Sequence, residues 1–541
     1  MIKKIILLTA IATVSACSVF NKSSQTPPNI YSFSSTITES GLYNDLAVLA
    51  HDSLQGRETG TIGEEKAARY LSKRYEEMGL KPVGDDGSYF QHYELIQPTV
   101  EQFNYELKST AADSVVDNST HNKQEDANFV TIFGGSDSLS GSVVFAGAGM
   151  FDEEEGINQY PEQTAGKWLF ILYDRDHTNM NHLQTMLSGD ALGAIILVGT
   201  DVADYEMEAE NRKAGFGMGR GLSLKYLQEN GGGLAPAFNR IHPELAATLL
   251  GVKEVEALEE IQKKIVTEPV SFEAKALDFT LDHNPLVNEN TVVTKNVVGF
   301  LEGSDPDLKD EVIVLSSHYD HVGIGQPDST GDNIYNGADD DGSGTVATLQ
   351  TAEAMAAAKE AGVGPKRSVL FLNVSGEEKG LLGSRYYSDH PIFSIENTVA
   401  NINIDMIGRV DEENIADSNY VYIIGGEIIS SGLDSLTQMA NTMGPDLTLS
   451  KRYNDLNDPN QFYRRSDHWN FGRLGVPFVF FFTGVHADYH RPSDHIEKIT
   501  FGPLTKRTQL VYNLTALLAN SPDRPEVDNQ EFIEKTQVQP R

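Results

Sequence analysis

The sequence predicts an α/β fold, a helix-covered sheet interrupted by a β-rich insertion, and two observations carry that prediction. After about residue 292 four near-continuous apolar runs appear, EVIVLSS, RSVLFLNV, VANINID and VPFVFFFT, with the helix-forming TVATLQTAEAMAAAKEA between the first two. Strands that are apolar along their whole length suit a sheet covered on both faces, and their alternation with helix marks an α/β architecture. From about 100 to 285 the rhythm differs. Short β-like runs (GSVVFAGAGM, GKWLFILYD, GAIILVGTD) sit among acidic and glycine-rich loops such as FDEEEG and NGGGLAP, which reads as an insertion into the main body.

The N-terminus reads MIKKIILLTAIATVSACSVF. Lys3 and Lys4 precede an apolar run, Ile5 to Val14, that is too short for a bilayer span of about 20 residues and fits an export signal. Ser15, Ala16 and Cys17 resemble the cleavage site of bacterial lipoproteins, where the cysteine takes the lipid. Cys17 is the only cysteine of 541 residues, so no intramolecular disulfide forms. The expected order is signal 1–16, Ser/Thr/Pro-rich tether 17–37, main body 38–99 and 286–520, insert 100–285, and a polar, loose tail 521–541. Helical spacing of apolar residues runs through LYNDLAVLAHD and GEEKAARYLSKRYEEMGL. A formal net charge of −36 argues against nucleic acid or an anionic lipid surface as partner; any membrane contact is expected through the lipid anchor alone.

Chemistry concentrates where the apolar runs end. EVIVLSS runs into His318-Tyr319-Asp320, RSVLFLNV into Glu377-Glu378, VANINI into Asp405, and VPFVFFFT leads to Asp488-Tyr489-His490. Ligand sites of open α/β sheets lie outside the carboxyl ends of the strands. The stretch NGADDDGSGT crowds Asp339, Asp340 and Asp341 among glycines with no cation within it. Two unit charges about 4 Å apart repel by roughly 4 kcal/mol at an effective dielectric near 20. Either the triplet is a solvated turn, or the missing cation is a metal. His318, Asp340, Glu378, Asp405 and His490 form a convergent His/carboxylate set of the kind zinc takes, with manganese or cobalt as lesser fits. No HExxH, GxSxG, P-loop or CxxC pattern is present, which removes the chemistries those motifs support.

HYD at 318–320, GADDDGSG at 337–344, SGEEKGLLGS at 375–384, NIDMIG at 403–408, SDHWNF at 466–471 and DYHRPSDHIEKI at 488–499, in this order, resemble the zinc-dependent exopeptidases with a co-catalytic metal pair, typified by bacterial secreted aminopeptidases. The resemblance covers roughly 40–95 and 290–515. It implies a mixed, mostly parallel sheet sandwiched by helices, with the insert as a protease-associated domain. It implies two zinc ions bridged by Asp340, one completed by His318 and Asp405, the other by Glu378 and His490. It makes Glu377 the general base, and it places Asp341 after a cis peptide, as in some members. Asp339 is then a loop acid without a role. Asp320 is expected to orient His318 by accepting its second ring N–H, and Tyr489 either polarises the scissile carbonyl or packs beside the site. His321, His468 and His495 read as structural or supporting, Arg464 and Arg465 as a solvated pair.

The implied activity is an aminopeptidase acting on peptides with free N-termini. Rivals are a carboxypeptidase of the same superfamily, a glutaminyl cyclase using one zinc, and a receptor-like relative without metals. Ser18 after the lipid-bearing cysteine agrees with an outer-membrane lipoprotein of a Gram-negative cell envelope.

Overall fold

The computed structural model describes residues 29–216, 221–229 and 236–538. The export signal, Cys17 and the tether up to residue 28 lie outside the described residues. Thirteen strands and seven helices matter here. The strands are β1 (Phe90–Ser109), β2 (Phe129–Phe133), β3 (Leu139–Phe145), β4 (Lys167–Leu172), β5 (Gly193–Leu197), β6 (Ala237–Ile241), β7 (Lys275–Leu301), β8 (Val312–His318), β9 (Ser368–Val374), β10 (Thr398–Ile404), β11 (Tyr420–Gly425), β12 (Thr448–Ser450) and β13 (Phe478–Phe482). The helices are α1 (Glu39–Leu49), α2 (Ile62–Glu77), α3 (Gly342–Glu360), α4 (Leu382–Asp389), α5 (Ser431–Thr442), α6 (Phe501–Asn520) and α7 (Gln530–Thr536).

The strand order is β12-β11-β13-β10-β8-β9-β7-β3-β4-β5-β6-β2. β8 pairs in parallel with β9 and β10, β10 with β13, and β11 with β12. β11 against β13 and β7 against β9 are antiparallel, so the sheet of the main body is mixed and mostly parallel, as expected. Alternation along the buried runs divides their side chains between two cores. Ile313, Leu315, Val369 and Phe371 pack in one cluster with residues of α1, α3 and α6, while Val312, Val314, Leu370 and Leu372 pack on the other face with Tyr387 of α4 and Phe471. Each such side chain contributes about 1.5–3 kcal/mol by burial. Because β8, β9, β10 and β13 run in one direction, their carboxyl ends, and the ligand-type residues behind them, emerge on one side.

The insert departs from the expected layout in two ways. Its boundaries near 100 and 285 fall inside continuous strands: β1 and β7 pair antiparallel from Phe90↔Val297 to Ser109↔Phe279, so a two-stranded ribbon, not a linker, leads out of the main body. Beyond the ribbon β3, β4, β5 and β6 are mutually parallel, with helices such as Val202–Lys213 and Ala257–Thr267 beside them. The short apolar runs showed the strands, but their parallel pairing is set by long crossover connections, which the runs themselves do not show. The tail is also not loose: Val527, Phe532 and Val538 are buried and α7 is formed. Three apolar residues spaced through a polar stretch suffice to dock it, a signal too sparse for a periodicity test.

Glu64 of α2 is 2% exposed. It accepts from Gly60 N at 2.7 Å and Thr294 Oγ1 at 2.5 Å, and from the Ser375 hydroxyl. Burial, only partly offset by these bonds, raises its carboxyl from the ordinary 4.5 to about 7. The folded state therefore holds a proton that the unfolded chain has released between those values, and it loses stability as pH rises through 7, by about 3 kcal/mol at most. Glu64→Gln removes that titration. Urea unfolding at pH 5 and pH 8 is expected to show the variant gaining on the wild type at the higher pH; parallel behaviour of the two proteins would refute it.

Candidate metal centre

Asp340 is 3% exposed and presents its two oxygens to two different groups of side chains. Its Oδ1 lies 3.3 Å from His318 Nε2, which is itself 3.6 Å from Asp405 Oδ1. Its Oδ2 lies 3.1 Å from His490 Nε2, which is 3.0 Å from Glu378 Oε2. The five residues expected as metal ligands are thus brought together, in the expected halves. His318 Nε2, His490 Nε2 and Asp340 Oδ2 are screened from solvent without a hydrogen-bond partner. Buried polar atoms are ordinarily satisfied, and orphaned nitrogen and oxygen atoms facing one another fit a pair of divalent cations bridged by one carboxylate.

The surroundings fix each ligand. His318 ends β8, where its main-chain N–H donates to Asp341 Oδ2 at 3.2 Å. Asp341, joined to Asp340 by a cis peptide, also accepts from Met406 N at 3.2 Å and caps α3 through Gly344 N at 2.8 Å. One carboxylate therefore ties together the backbones beside two ligands and starts a helix. Gly344 is glycine because a Cβ there would meet Asp341 Oδ1 at 2.3 Å, and Gly337 takes φ +56° with a Cβ position 2.3 Å from Asp340 O. Asp405 gives its second oxygen to Ser466 Oγ at 2.8 Å, which leaves the first for the centre. Met406 and His490 hold left-handed φ of 55° and 53°, a cost of about 1–3 kcal/mol each that cooperating contacts must sustain.

Two expectations are corrected. Asp339 is not a solvated loop acid: it is fully buried, accepts from Gly408 N at 2.6 Å and lies 3.2 Å from His486 Nε2. The apolar residues that bury it are distant in sequence, so the triplet alone gave no hint. Asp320 does not take the second ring nitrogen of His318. That Nδ1 is 3.1 Å from the main-chain oxygen of Asp320, while the carboxylate, 3.7 Å away, accepts instead from Thr59 Oγ1 at 2.9 Å and Glu377 N at 3.2 Å. The carboxylate steadies the Glu377 backbone, because the short HYD turn already brings its own carbonyl to the ring.

His321 Nδ1 donates at 2.7 Å to Glu378 Oε1, the oxygen that does not face His490. His321, Asp340 and Glu378 are also mutually within ligand range. His468 is buried against Phe478 and Phe480; His495 pairs with Asp332 at 3.3 Å. Tyr489 stacks on His490, centroids 3.9 Å apart. Burial and the nearby carboxylates raise its hydroxyl. Arg464 and Arg465 are exposed, but Arg465 lines the pocket that opens on Asp340, Glu377 and Asp405.

Residues that the motifs did not reveal complete the site. Arg57, 1% exposed, donates to the carbonyls of Leu49, Tyr319, Asn336 and Gly337 at 2.6–3.0 Å. Asp494 accepts from the amides of Asp339 and Asp340 at 2.9 and 3.3 Å. A GR pair in a loop, or an acid four residues past the last ligand, carries no signal without the fold.

Electrostatics follow the crowding. Burial pushes Glu377 well above the usual carboxyl range, with Glu378, Asp405 and Asp467 adding and His318 opposing. Burial would lower the two ligand histidines, but Glu377 and Asp405 raise His318 well above its ordinary value, and Asp340 with Glu378 takes His490 to about 10. The cluster stabilises any positive charge placed within it. Glu377, 3.9 Å from His318 Nε2, faces the same pocket and lies within ligand range of His318 and Asp405.

Residues 296–515 match the sequence model described as Peptidase family M28. Aminopeptidase YwaD of Bacillus subtilis (strain 168) is 25% identical over 366 residues, 66% of this chain and 66% of that protein. A probable leucine aminopeptidase 2 of Aspergillus oryzae is 32% identical over 204 residues, 36% of this chain and 34% of its own length. The chain thus spans just under two thirds of the first of these curated relatives and about a third of the second. Among solved structures, an aminopeptidase from Aneurinibacillus sp. strain AM-1 aligns at TM-score 0.47 and 16% identity over 92% of this chain and 98% of that one. BSAP, a zinc aminopeptidase from Bacillus subtilis, aligns at 0.42 and 18% over 88% and 94%. The ordered ligand motifs of residues 318–490 lie inside the span that is similar to peptidase family M28.

Proposed function

We propose that the protein is a zinc-dependent aminopeptidase that removes N-terminal residues from peptides. The observation that carries this reading is the division of Asp340 between His318 with Asp405 and His490 with Glu378, beside an uncommitted Glu377. The nitrogen and oxygen donor set suits two zinc ions, and BSAP of Bacillus subtilis is a zinc aminopeptidase. When bound, the pair supplies Lewis acidity toward the scissile carbonyl and the attacking water. Glu377 takes the water's proton on its carboxylate and returns it to the leaving amine. Asp320 holds the Glu377 main chain in register through its N–H. Glu377 and Asp405 together face the position of a substrate's free α-amine. Tyr489 keeps its proton at neutral pH and, from the pocket wall, can donate to the oxyanion that develops. Asp341, Ser466 and Asp494 only position.

A glutaminyl cyclase with one zinc leaves half of the Asp340 arrangement unused, and a receptor-like relative leaves all of it unused. The carboxypeptidase reading has one observation in its favour, the exposed Arg465 at the pocket, which suits a terminal carboxylate. The proposal extends to place. The N-terminal MIKKIILLTAIATVSAC pattern supports export and lipid anchoring at Cys17 in a cell envelope.

Glu377→Gln is expected to keep about two zinc ions per chain while turnover of an unblocked aminoacyl substrate falls by about 10²–10⁴-fold. Glu378→Gln is expected to weaken one zinc site, with activity partly restored by excess zinc. Elemental analysis beside turnover checks both; near-normal turnover in Glu377→Gln, or metal loss there with both ions kept in Glu378→Gln, would sink the assignment.

N-acetylation of the substrate should abolish hydrolysis. Release of the C-terminal residue from the acetylated peptide, followed by mass spectrometry, would hand the function to the carboxypeptidase reading.

Cys17→Ser should move the exported protein out of the membrane fraction. Unchanged membrane retention on fractionation and immunoblotting would exclude the lipid anchor.

A further inference from the structure

The residues after α6 lie beyond the span matched by the family and carry no catalytic group, yet they are tied to the wall of the pocket. Phe532 of α7 is fully buried and Val527 and Val538 nearly so. They share one core cluster with Met406, Phe462, Phe480 and Phe482, the apolar side chains that line the pocket beside Asp340, Glu377 and Asp405. The Phe532 ring lies 6.5 Å from that of Phe478, on the strand that also presents Phe480 and Phe482. Phe462 is gripped between Tyr453 at 4.8 Å and Phe482 at 5.1 Å.

Phe462 belongs to a loop, 451–465, whose own main-chain hydrogen bonds are local turns such as Asn454 N to Lys451 O, Asp458 N to Asp455 O and Gln461 N to Asp458 O. Its longer-range ties begin with Lys451, paired with Glu427 and Asp434, and with Asn454, which accepts from Gly425 N at 3.0 Å. At the loop's centre the ties come from the tail. Lys535 Nζ donates to the Leu456 carbonyl and, at 2.7 Å, to Asn457 Oδ1. α7 is itself anchored at its start, where Asn529 caps it through Phe532 N at 3.0 Å and Asp528 accepts from Ser431 N at 3.0 Å.

We infer that α7 is a buttress that holds loop 451–465 against the pocket and thereby sets which substrate side chains the pocket accepts. Phe532 and Lys535 are positioning residues acting through Phe462. The selective part rests on the aminopeptidase reading, with the side chain of the N-terminal residue as the group selected; the mechanical part does not. A pocket of apolar walls discriminates by about 10–200-fold per methylene only while its walls are held, and truncating Phe532 leaves a void behind them into which they relax.

The test compares wild type, Phe532→Ala and Lys535→Met as zinc-loaded full chains on alanyl, leucyl and phenylalanyl anilides, with metal content and amide hydrogen exchange measured on the same samples. Lys535→Met keeps the Phe532 packing and guards against a variant that fails to fold. Both variants are expected to keep their metal, to change the alanyl KM less than about twofold, and to exchange faster within 451–465. In Phe532→Ala the leucyl and phenylalanyl KM should rise about tenfold at unchanged kcat, an effect within the range of lost apolar contacts; Lys535→Met should move the same way by less. An equal KM change for all three substrates, loss of metal, or unchanged exchange in 451–465 would overturn the inference. If wild type cleaves no anilide, the aminopeptidase reading falls, and the exchange measurement alone decides the buttress.

Discussion

Asp320, Asp339, Asp340, Asp341, Asp467 and Asp494 are all 3% exposed or less, and Glu377, Glu378 and Asp405 stand beside them. So much like charge out of water is tolerated only with opposite charge close by or with directed N–H groups. The fold supplies both. Arg57 brings a buried guanidinium to the back of the cluster, where burial would lower its pKa and Asp320, Asp340, Asp494 and Asp341 oppose that shift. Main-chain amides of residues 318, 339, 340, 344, 377, 406 and 408 are all spent on carboxylate oxygens of the cluster. Beside Asp467, whose two oxygens have no hydrogen-bond partner, the face shared by Asp340, His318, Asp405, Glu378 and His490 remains uncompensated, and its negative charge is of the kind that a bound metal pair would neutralise.

The same accounting explains why the acids are not interchangeable. Asp341 has both oxygens on backbone N–H groups, while Asp339 and Asp494 each give one oxygen to backbone N–H groups and keep the other without a hydrogen-bond partner. Asp405 and Glu378 have each committed one oxygen, to Ser466 and His321, and keep the other free. Asp340 keeps both directed into the centre. Glu377 lies in the pocket with its carboxylate unbound by any of these partners, which is the condition for a group that must gain and lose a proton.

Much of this was legible in the sequence because the catalytic side chains follow uninterrupted apolar strands. HYD, GEE, NID and the distal DYH could be placed at the ends of β8, β9, β10 and β13 from pattern alone, which also marked an α/β sheet; its mixed, mostly parallel pairing was implied by the family resemblance. The supporting set was not legible. Arg57 acts through four carbonyls from three segments, Asp494 through two amides about 155 positions away, and Asp339 is buried by tertiary packing that no local window contains. Asp320 was misread for a related reason: the short turn after β8 lets its carbonyl reach the ring first. The parallel pairing of the insert strands escaped because a local run does not show its partner, and the docked tail escaped because its apolar anchors are few.

The insert is joined to the site more closely than a peripheral domain would be. Its two ribbon strands begin beside the loop that carries Glu377. Tyr93 of β1 donates to the Ser375 carbonyl at 2.9 Å, and Asn296 of β7 accepts from Ser375 N at 3.2 Å while donating to Gly383 O at 2.9 Å. Thr294 donates to Glu64 and pairs with Ser375 Oγ at 3.1 Å. The GEE turn is therefore clamped at both flanks by the strands that lead into the insert, and from below by Glu64 of α2. A force that twists the ribbon is carried first by Ser375, two residues from Glu377 and three from Glu378. The continuity of β1 and β7 through the expected domain boundaries is what makes that possible, since a flexible linker would transmit nothing.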